Sequence, residues 1–323
     1  MMGGMVMVLW IIIIVLILIV LALLYVGNYF YKLAIDSRTS KDALFKNEFS
    51  SDEDKVSQDE TSGENREDYR KWLLDESNYK DEYITSFDGL KLHGYKIINE
   101  EKTDKWVIAV HGYTSCGMLM GNFAKHFYDM GYNVLVPDLR GQGLSKCDYI
   151  GMGYYDSLDV VNWANYISKE YKDSKIILFG ISMGAATVMT ASDKDLPRNI
   201  KAIIEDCGYT STWNEFSYQL KELFKLPSFP IMNVSSLICK LRAGYYLKDG
   251  ASIDSVKRSK VPMLFIHGDD DCFVPYYMLD ELYNATNCKK EKLIIKGAGH
   301  ARAATVDPKL YWSTIENFMS KNI

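Results

Sequence analysis

A serine flanked by glycines, Gly180-Ile181-Ser182-Met183-Gly184, follows the apolar run Ile176–Phe179 and precedes the small residues Ala185 and Ala186. Strand, G-x-S-x-G and helix in that order make a nucleophile elbow, a turn tight enough to hold a serine hydroxyl out at its tip. Side chains at positions 180 and 184 would collide with neighbouring backbone there, and a helix starting at Met183 would aim amide donors at the reacting centre. A serine hydroxyl needs a base, and the base needs an orienting carboxylate. Of the histidines, only His267 and His300 follow Ser182. His267 closes a strand in Phe265-Ile266-His267-Gly268 and reads as structural; His300 ends Gly297-Ala298-Gly299-His300, where glycines let a loop fold back, and is the better base. For the acid, Asp269, Asp270 and Asp271 satisfy the chain order serine, acid, histidine, at least one of them being expected only to cap the helix near Pro275. Asp206, at the end of another strand, is a second candidate.

The elements that must position these residues follow from hydrophobic patterning. Strands are predicted over Glu82–Phe87, Lys91–Ile98, Lys105–Val110, Asn133–Pro137, Lys175–Gly180, Lys201–Asp206, Pro262–His267 and Lys292–Lys296. Helices are predicted over Leu119–Met130, Asp156–Tyr171, Met183–Ser192, Tyr276–Ala285 and Pro308–Met319. Asp88-Gly89 joins the first two strands as a hairpin, whereas most later strands are separated by stretches that suit helical crossovers. Late strands such as Met263–Ile266 are continuously apolar, as strands buried on both faces are. The expected fold is α/β: a mostly parallel, eight-stranded, doubly wound sheet with an antiparallel start. Its site belongs past the carboxyl ends of the strands.

With His111-Gly112-Tyr113, Asp138-Leu139-Arg140-Gly141-Gln142-Gly143-Leu144-Ser145, Gly180–Gly184, His267–Pro275 and Gly299-His300 together, residues 82 to 320 resemble the α/β-hydrolase superfamily. Within it the chain looks like membrane-associated serine hydrolases and esterases grouped with serine aminopeptidase-like and Bem46-like proteins. The resemblance places the acid at Asp271, and it places the amides of an oxyanion hole at Tyr113 and Met183. Two fixed amides would stabilise a tetrahedral oxyanion without reorganising. Substitution of Tyr113 leaves its amide in place, so a mild effect is expected there. The Asp138–Ser145 loop reads as structural support tied down by Arg140. The stretch from about 209 to 260 reads as a small cap, with Trp213, Phe216, Leu220, Leu223 and Phe224 at helical spacing and a second helical stretch near Leu237–Tyr246. A small apolar acyl pocket is expected beneath it, with Met118–Met120 as a flexible wall.

Composition sets the frame. The 323 residues are 48% hydrophobic and 24% charged, which excludes wholesale disorder, collagen-like repeats and a polytopic transporter. The first 31 residues carry no charge, and Met5–Val26 is an apolar run of 22 residues; at 1.5 Å each it reaches about 33 Å, enough to span a bilayer core. No positive leader or A-x-A-like cleavage site accompanies it, so residues 1–31 read as a retained transmembrane anchor, with Tyr25, Tyr29, Phe30 and Tyr31 as an aromatic belt. Residues 32–70 read as an acidic flexible linker: eleven acids and six bases between Asp36 and Arg70 account for the chain's whole net charge of −5. The rest balances, with no nucleic-acid footprint. Residues 71–323 then form the catalytic domain. Lys32, Arg38, Lys41 and Lys46 after the anchor favour a cytoplasmic domain, the extracellular face being the alternative. The six cysteines show no metal-ligand spacing, and Cys116 and Cys272 read as buried fillers. No cofactor or metal is implied. The expected activity is cleavage of a carboxylic ester or thioester of a small or lipid-like acyl substrate through an acyl-enzyme. The alternatives are an aminopeptidase-like peptidase, for which Glu215 and Glu222 in the cap read as exposed helix charge rather than an amine site, and a catalytically silent membrane-tethered binding module.

Overall fold

The apolar runs fold as strands because both of their faces find cover. In the computed structural model, which describes residues 2–41, 44 and 70–323, eight strands form one sheet: β1 (Lys80–Thr85), β2 (Lys91–Ile97), β3 (Lys105–Val110), β4 (Asn133–Pro137), β5 (Lys175–Ile181), β6 (Ile200–Asp206), β7 (Met263–Gly268) and β8 (Lys290–Ile295). Their spatial order is β1-β2-β4-β3-β5-β6-β7-β8. β2 runs antiparallel to both β1 and β4, and every other pair is parallel. Side chains alternate across the pleat. Thus Trp106, Ile108, Ile176 and Leu178 enter one buried cluster, while Val107, Ala109, Ile177 and Phe179 enter another on the opposite face.

Helices cover both faces. In chain order they are α1 (Met2–Ala34), α2 (Gly121–Asp129), α3 (Tyr154–Glu170), α4 (Met183–Ala191), α5 (Thr212–Phe224), α6 (Ile231–Ala243), α7 (Ser252–Arg258), α8 (Tyr277–Ala285), α9 (Ala303–Val306) and α10 (Pro308–Ser320). α2 and α10 bury Phe127, Tyr311, Ile315 and Phe318 on one face; α3, α4 and α8 bury Val160, Trp163, Val188, Met278 and Leu282 on the other. Local signals fix the ends. Ser211 caps α5 by accepting from Asn214 N at 3.1 Å, and Asp307 caps α10 by accepting from Leu310 N at 3.0 Å, just before Pro308.

The expected strands are all present, with small shifts. β1 ends at Thr85 because Ser86–Leu90 forms the hairpin turn, in which Gly89 takes φ +87°. The second cap helix begins at Ile231, earlier than the pattern suggested, and stops at Ala243 because Gly244 adopts φ +84°.

The larger difference is at the N-terminal side. From Met5 to Tyr25 α1 stands clear of the sheet domain with its apolar side chains almost wholly exposed. From Gly27 onward it is docked. A Cβ at Gly27 would lie 2.7 Å from Val234 Cγ1 of α6, and Phe30 meets Phe224 of α5 edge-on at 5.1 Å. Beyond the helix the chain stays on the domain, where the sequence reading starts a linker at residue 32. Ile35 is buried, Ile150 N donates to Ile35 O at 2.9 Å, and Arg38 pairs with Asp36 and Asp148 at 2.9 Å each. The acidic stretch Asn47–Asp68 lies outside the described residues.

Candidate active site

The elbow forms because glycine alone fits on either side of the serine. A Cβ at Gly180 would stand 2.3 Å from Gly184 O, and one at Gly184 would stand 2.1 Å from Val110 O. Between them Ser182 takes φ +54°, ψ −116°, a conformation that costs a non-glycine residue about 1–3 kcal/mol and that the surrounding structure must enforce. Ser182 N donates to Asp206 O at 2.8 Å, pinning the turn to β6. Met183 opens α4, so its N–H has no carbonyl partner within the helix.

His300 arrives on the loop after β8, and Asp271 on the loop after β7. His300 Nε2 lies 2.9 Å from Ser182 Oγ, and Nδ1 lies 2.8 Å from Asp271 Oδ2. A carboxylate only accepts, so Nδ1 carries the proton and Nε2 is left to accept from the serine. The other Asp271 oxygen accepts from Phe273 N and Val274 N, both at 2.9 Å. Burial works to raise the Asp271 pKa, but the opposing influence of His300 and His267 holds the carboxyl well below the usual range. The three aspartates divide their work. Asp269 accepts from Gly297 N at 2.5 Å and ties down the histidine loop, Asp270 is exposed, and Asp271 faces the imidazole.

Two candidates resolve differently. His267 is fully buried and its Nε2 lies 2.9 Å from Val274 O and 3.2 Å from Asp271 Oδ2, so it braces the acid loop. Asp206 is bonded by Tyr311 OH at 2.8 Å, and burial pushes its pKa up to about 6.

The loop after β3 is braced by a neutral histidine. His111 Nδ1 donates to Gly112 O at 2.8 Å and Nε2 accepts from Leu139 N at 3.0 Å; burial lowers its pKa, which keeps this tautomer uncharged. Gly112 comes close enough to Ser182 that a Cβ there would touch the Ser182 side chain at 3.4 Å, which brings the Tyr113 backbone alongside. Behind it, Asp138 accepts from Gly117 N at 2.7 Å and Leu144 N at 2.9 Å. The fully buried Arg140 bonds Asp88, Asp159 and Tyr149, as expected of a residue that ties the loop down.

These elements carry the site in the order and at the strand ends that define one architecture. Residues 101–230 match the family described as "Serine aminopeptidase, S33". The chain is 26% identical over 237 residues to YqkD of Bacillus subtilis, covering 73% of this chain and 77% of that one. It is 26% identical over 188 residues to the lysophosphatidylserine lipase ABHD12 of Xenopus tropicalis, 55% of this chain and 46% of that one. Among solved structures it resembles the Pyrococcus furiosus esterase Pf2001, with a TM-score of 0.60 at 25% identity over 81% of this chain and 94% of the esterase. The chain has the α/β-hydrolase fold.

Within this α/β-hydrolase fold, two features depart from the sequence reading. Glu215, expected to be exposed, is buried and faces the cavity above Ser182, where its Oε1 accepts from Gln219 Nε2 at 3.0 Å; helical periodicity places it on the cap's inner face, but nothing in the sequence says that a carboxylate belongs there. Cys272 is exposed rather than buried, because the turn that directs Asp271 inward directs the next residue out. The cavity itself is small, about 80 Å³, and lined mostly by apolar side chains. Part of its wall is α1. Among the described residues, one set of possible metal ligands, Cys207, Asp271 and His300, lies within 4.8 Å of one another. Burial pushes the Cys207 thiol well up and keeps it protonated, and the other two are engaged with each other.

Proposed function

We propose that the chain is a membrane-anchored serine hydrolase that cleaves a carboxylic ester or thioester through an acyl-enzyme. The observation that carries this reading is the line Ser182–His300–Asp271, with bonds of 2.9 and 2.8 Å leading away from a serine held at positive φ. Ser182 Oγ attacks the carbonyl carbon and its proton passes to His300 Nε2. Asp271 holds the ring and stabilises the imidazolium; the amides of Tyr113 and Met183 stabilise the oxyanion. Collapse expels the alcohol or thiol, which takes the proton from His300. Water then repeats the sequence on the acyl-serine. The chemistry calls on no cofactor.

The exposed apolar stretch of α1 supports anchoring, since a helix with a mean hydropathy of 3.6 in its best window cannot stand in water uncovered. Lys32, Arg38, Lys41 and Lys46 favour the cytoplasmic side for the domain, and protease treatment of intact cells that removed the domain would reverse that reading. The names of the Pf2001 esterase and of the lipase ABHD12 favour an ester substrate.

One observation favours a second reading. The buried Glu215 in the cavity suits the amine of a peptide substrate, and the serine aminopeptidase match points the same way. The deciding experiment labels the full chain with a fluorophosphonate and compares it with Ser182→Ala. Labelling lost in the variant, followed by turnover of esters and not dipeptides, supports the hydrolase as drawn; release of an amino acid from dipeptides supports the peptidase. A folded parent that takes no label leaves a silent binding module.

A further inference from the structure

The wall of the cavity above Ser182 is built from two sources that lie far apart in sequence. One is the cap, through Phe216, Leu220, Leu223 and Phe224 of α5 and Met232 of α6; the other is the end of α1, through Phe30, Tyr31, Leu33 and Ala34, with Ile35 just beyond it. The two are locked together by the Phe30–Phe224 contact and by Arg242 of α6 over the Tyr31 ring at 5.3 Å. Tyr113, whose amide faces the reacting centre in the reading above, also donates its hydroxyl to Ala34 O at 2.8 Å. The helix that leaves the domain therefore ends within one residue's reach of the oxyanion loop.

The outer surface beside this junction is apolar as well. Leu237 and Leu241, one turn apart on α6, and Phe229 in the loop before it are exposed, Phe229 and Leu241 by 76% and 77%. They border the face of α6 that packs on α1, and α1 continues from there as the exposed apolar run. Lys240 and Arg242 flank Leu241 in the last turn of α6, a combination of apolar and cationic side chains that suits an anionic bilayer surface. Since Gly27 is already packed against α6, the cap lies at the level where the apolar run ends.

We infer that the last turn of α1 is part of the substrate site and that the substrate is a bilayer-resident lipid ester or thioester. One acyl chain of it lies between α1 and the cap, against Phe30, Ala34 and Ile35. This rests on the serine-hydrolase reading and assigns its substrate class. The chain passes from the hydrocarbon layer along an apolar surface into an apolar cavity, so delivery to Ser182 exposes no chain to water.

The test uses the full-length protein in vesicles of phosphatidylcholine and phosphatidylglycerol. A decyl fluorophosphonate with a terminal diazirine is attached to Ser182, irradiated, and its crosslinks are mapped by mass spectrometry. Crosslinks within residues 27–35 are expected; phosphonylated Ser182 with crosslinks confined to other walls overturns the inference. Unreacted Ser182 removes the hydrolase reading itself, and the inference falls with it. A second measurement compares decanoyl with acetyl ester turnover for Ala34→Trp and for Ile19→Trp, which lies in the exposed stretch. The ratio of long to short is expected to fall about tenfold for Ala34→Trp, the scale of blocking one pocket group, and to hold for Ile19→Trp. A ratio for Ala34→Trp within about twofold of the parent overturns the inference.

Discussion

Replacing Asp271 by asparagine keeps the shape of the acid loop and reverses one hydrogen bond. The asparagine carbonyl can still accept from Phe273 N and Val274 N, which hold the Asp271 Oδ1 at 2.9 Å. Its amide group then faces His300 Nδ1 at the present 2.8 Å contact. Two donors cannot share that contact, so Nδ1 must become the acceptor and the ring proton moves to Nε2, which lies 2.9 Å from Ser182 Oγ. An imidazole protonated there cannot take the serine proton. In serine proteases the same exchange lowers kcat about 10⁴-fold, or about 5.4 kcal/mol on the barrier. The expected result for Asp271→Asn is a loss of that size in short-ester turnover and in the rate of fluorophosphonate labelling, in a protein that still folds. Because Asp271 is held ionised far below neutrality, the acid limb of the parent's pH profile should belong to the imidazole, not to this carboxyl. Retention of more than about a tenth of the parent rate would refute the assignment. So would a larger loss in Asp206→Asn, which would move the orienting role to that residue.

Two further outcomes concern stability. Asp206 is buried with its pKa pushed from 3.8 up to about 6, so it binds a proton more tightly folded than unfolded; its stabilising contribution is complete below about pH 4 and is lost as pH rises through about 6, a difference of roughly 3 kcal/mol. Denaturant midpoints of the parent and Asp206→Asn measured across that window should therefore diverge, the parent losing ground as pH rises; parallel curves would refute the account. Gly184→Ala, with its Cβ 2.1 Å from Val110 O, should cost about 3 kcal/mol or more. Gly299→Ala, beside His300 but with nothing within 4 Å of the added carbon, should change stability by about 0.5 kcal/mol or less; equal costs in urea unfolding would deny that close approach is what requires glycine at the elbow.

Much of the sheet was legible because its strands are buried on both faces and announce themselves as uninterrupted apolar runs, Ile176–Phe179 and Met263–Ile266 being the clearest. The elbow was legible for a related reason: collisions at Gly180 and Gly184 leave no other residue type possible, so geometry is written directly into the chain. The choice of Asp271 over Asp206 came from the resemblance and not from patterning, since both lie at the carboxyl ends of apolar strands at the same edge of the sheet; the structure has Tyr311 bonding the one and His300 facing the other. Glu215 was misjudged because helix periodicity gives a face but not what that face meets. The docking of Gly27–Arg38 was hidden more thoroughly: apolar residues left exposed and apolar residues covered by the domain have the same composition, and the boundary at Gly27 shows only in which of them are covered.

That docking fixes where the serine stands relative to the exposed helix. Residue 41 lies on the domain, its Lys41 Nζ donating to Asp36 O at 2.7 Å, and residue 70 opens the segment that leads into the buried Trp72 and Leu73. The described residues on either side of the acidic stretch are therefore both held by the sheet domain. The distance of Ser182 from the exposed run is set by the docked end of α1, as a crane's reach is set by its boom.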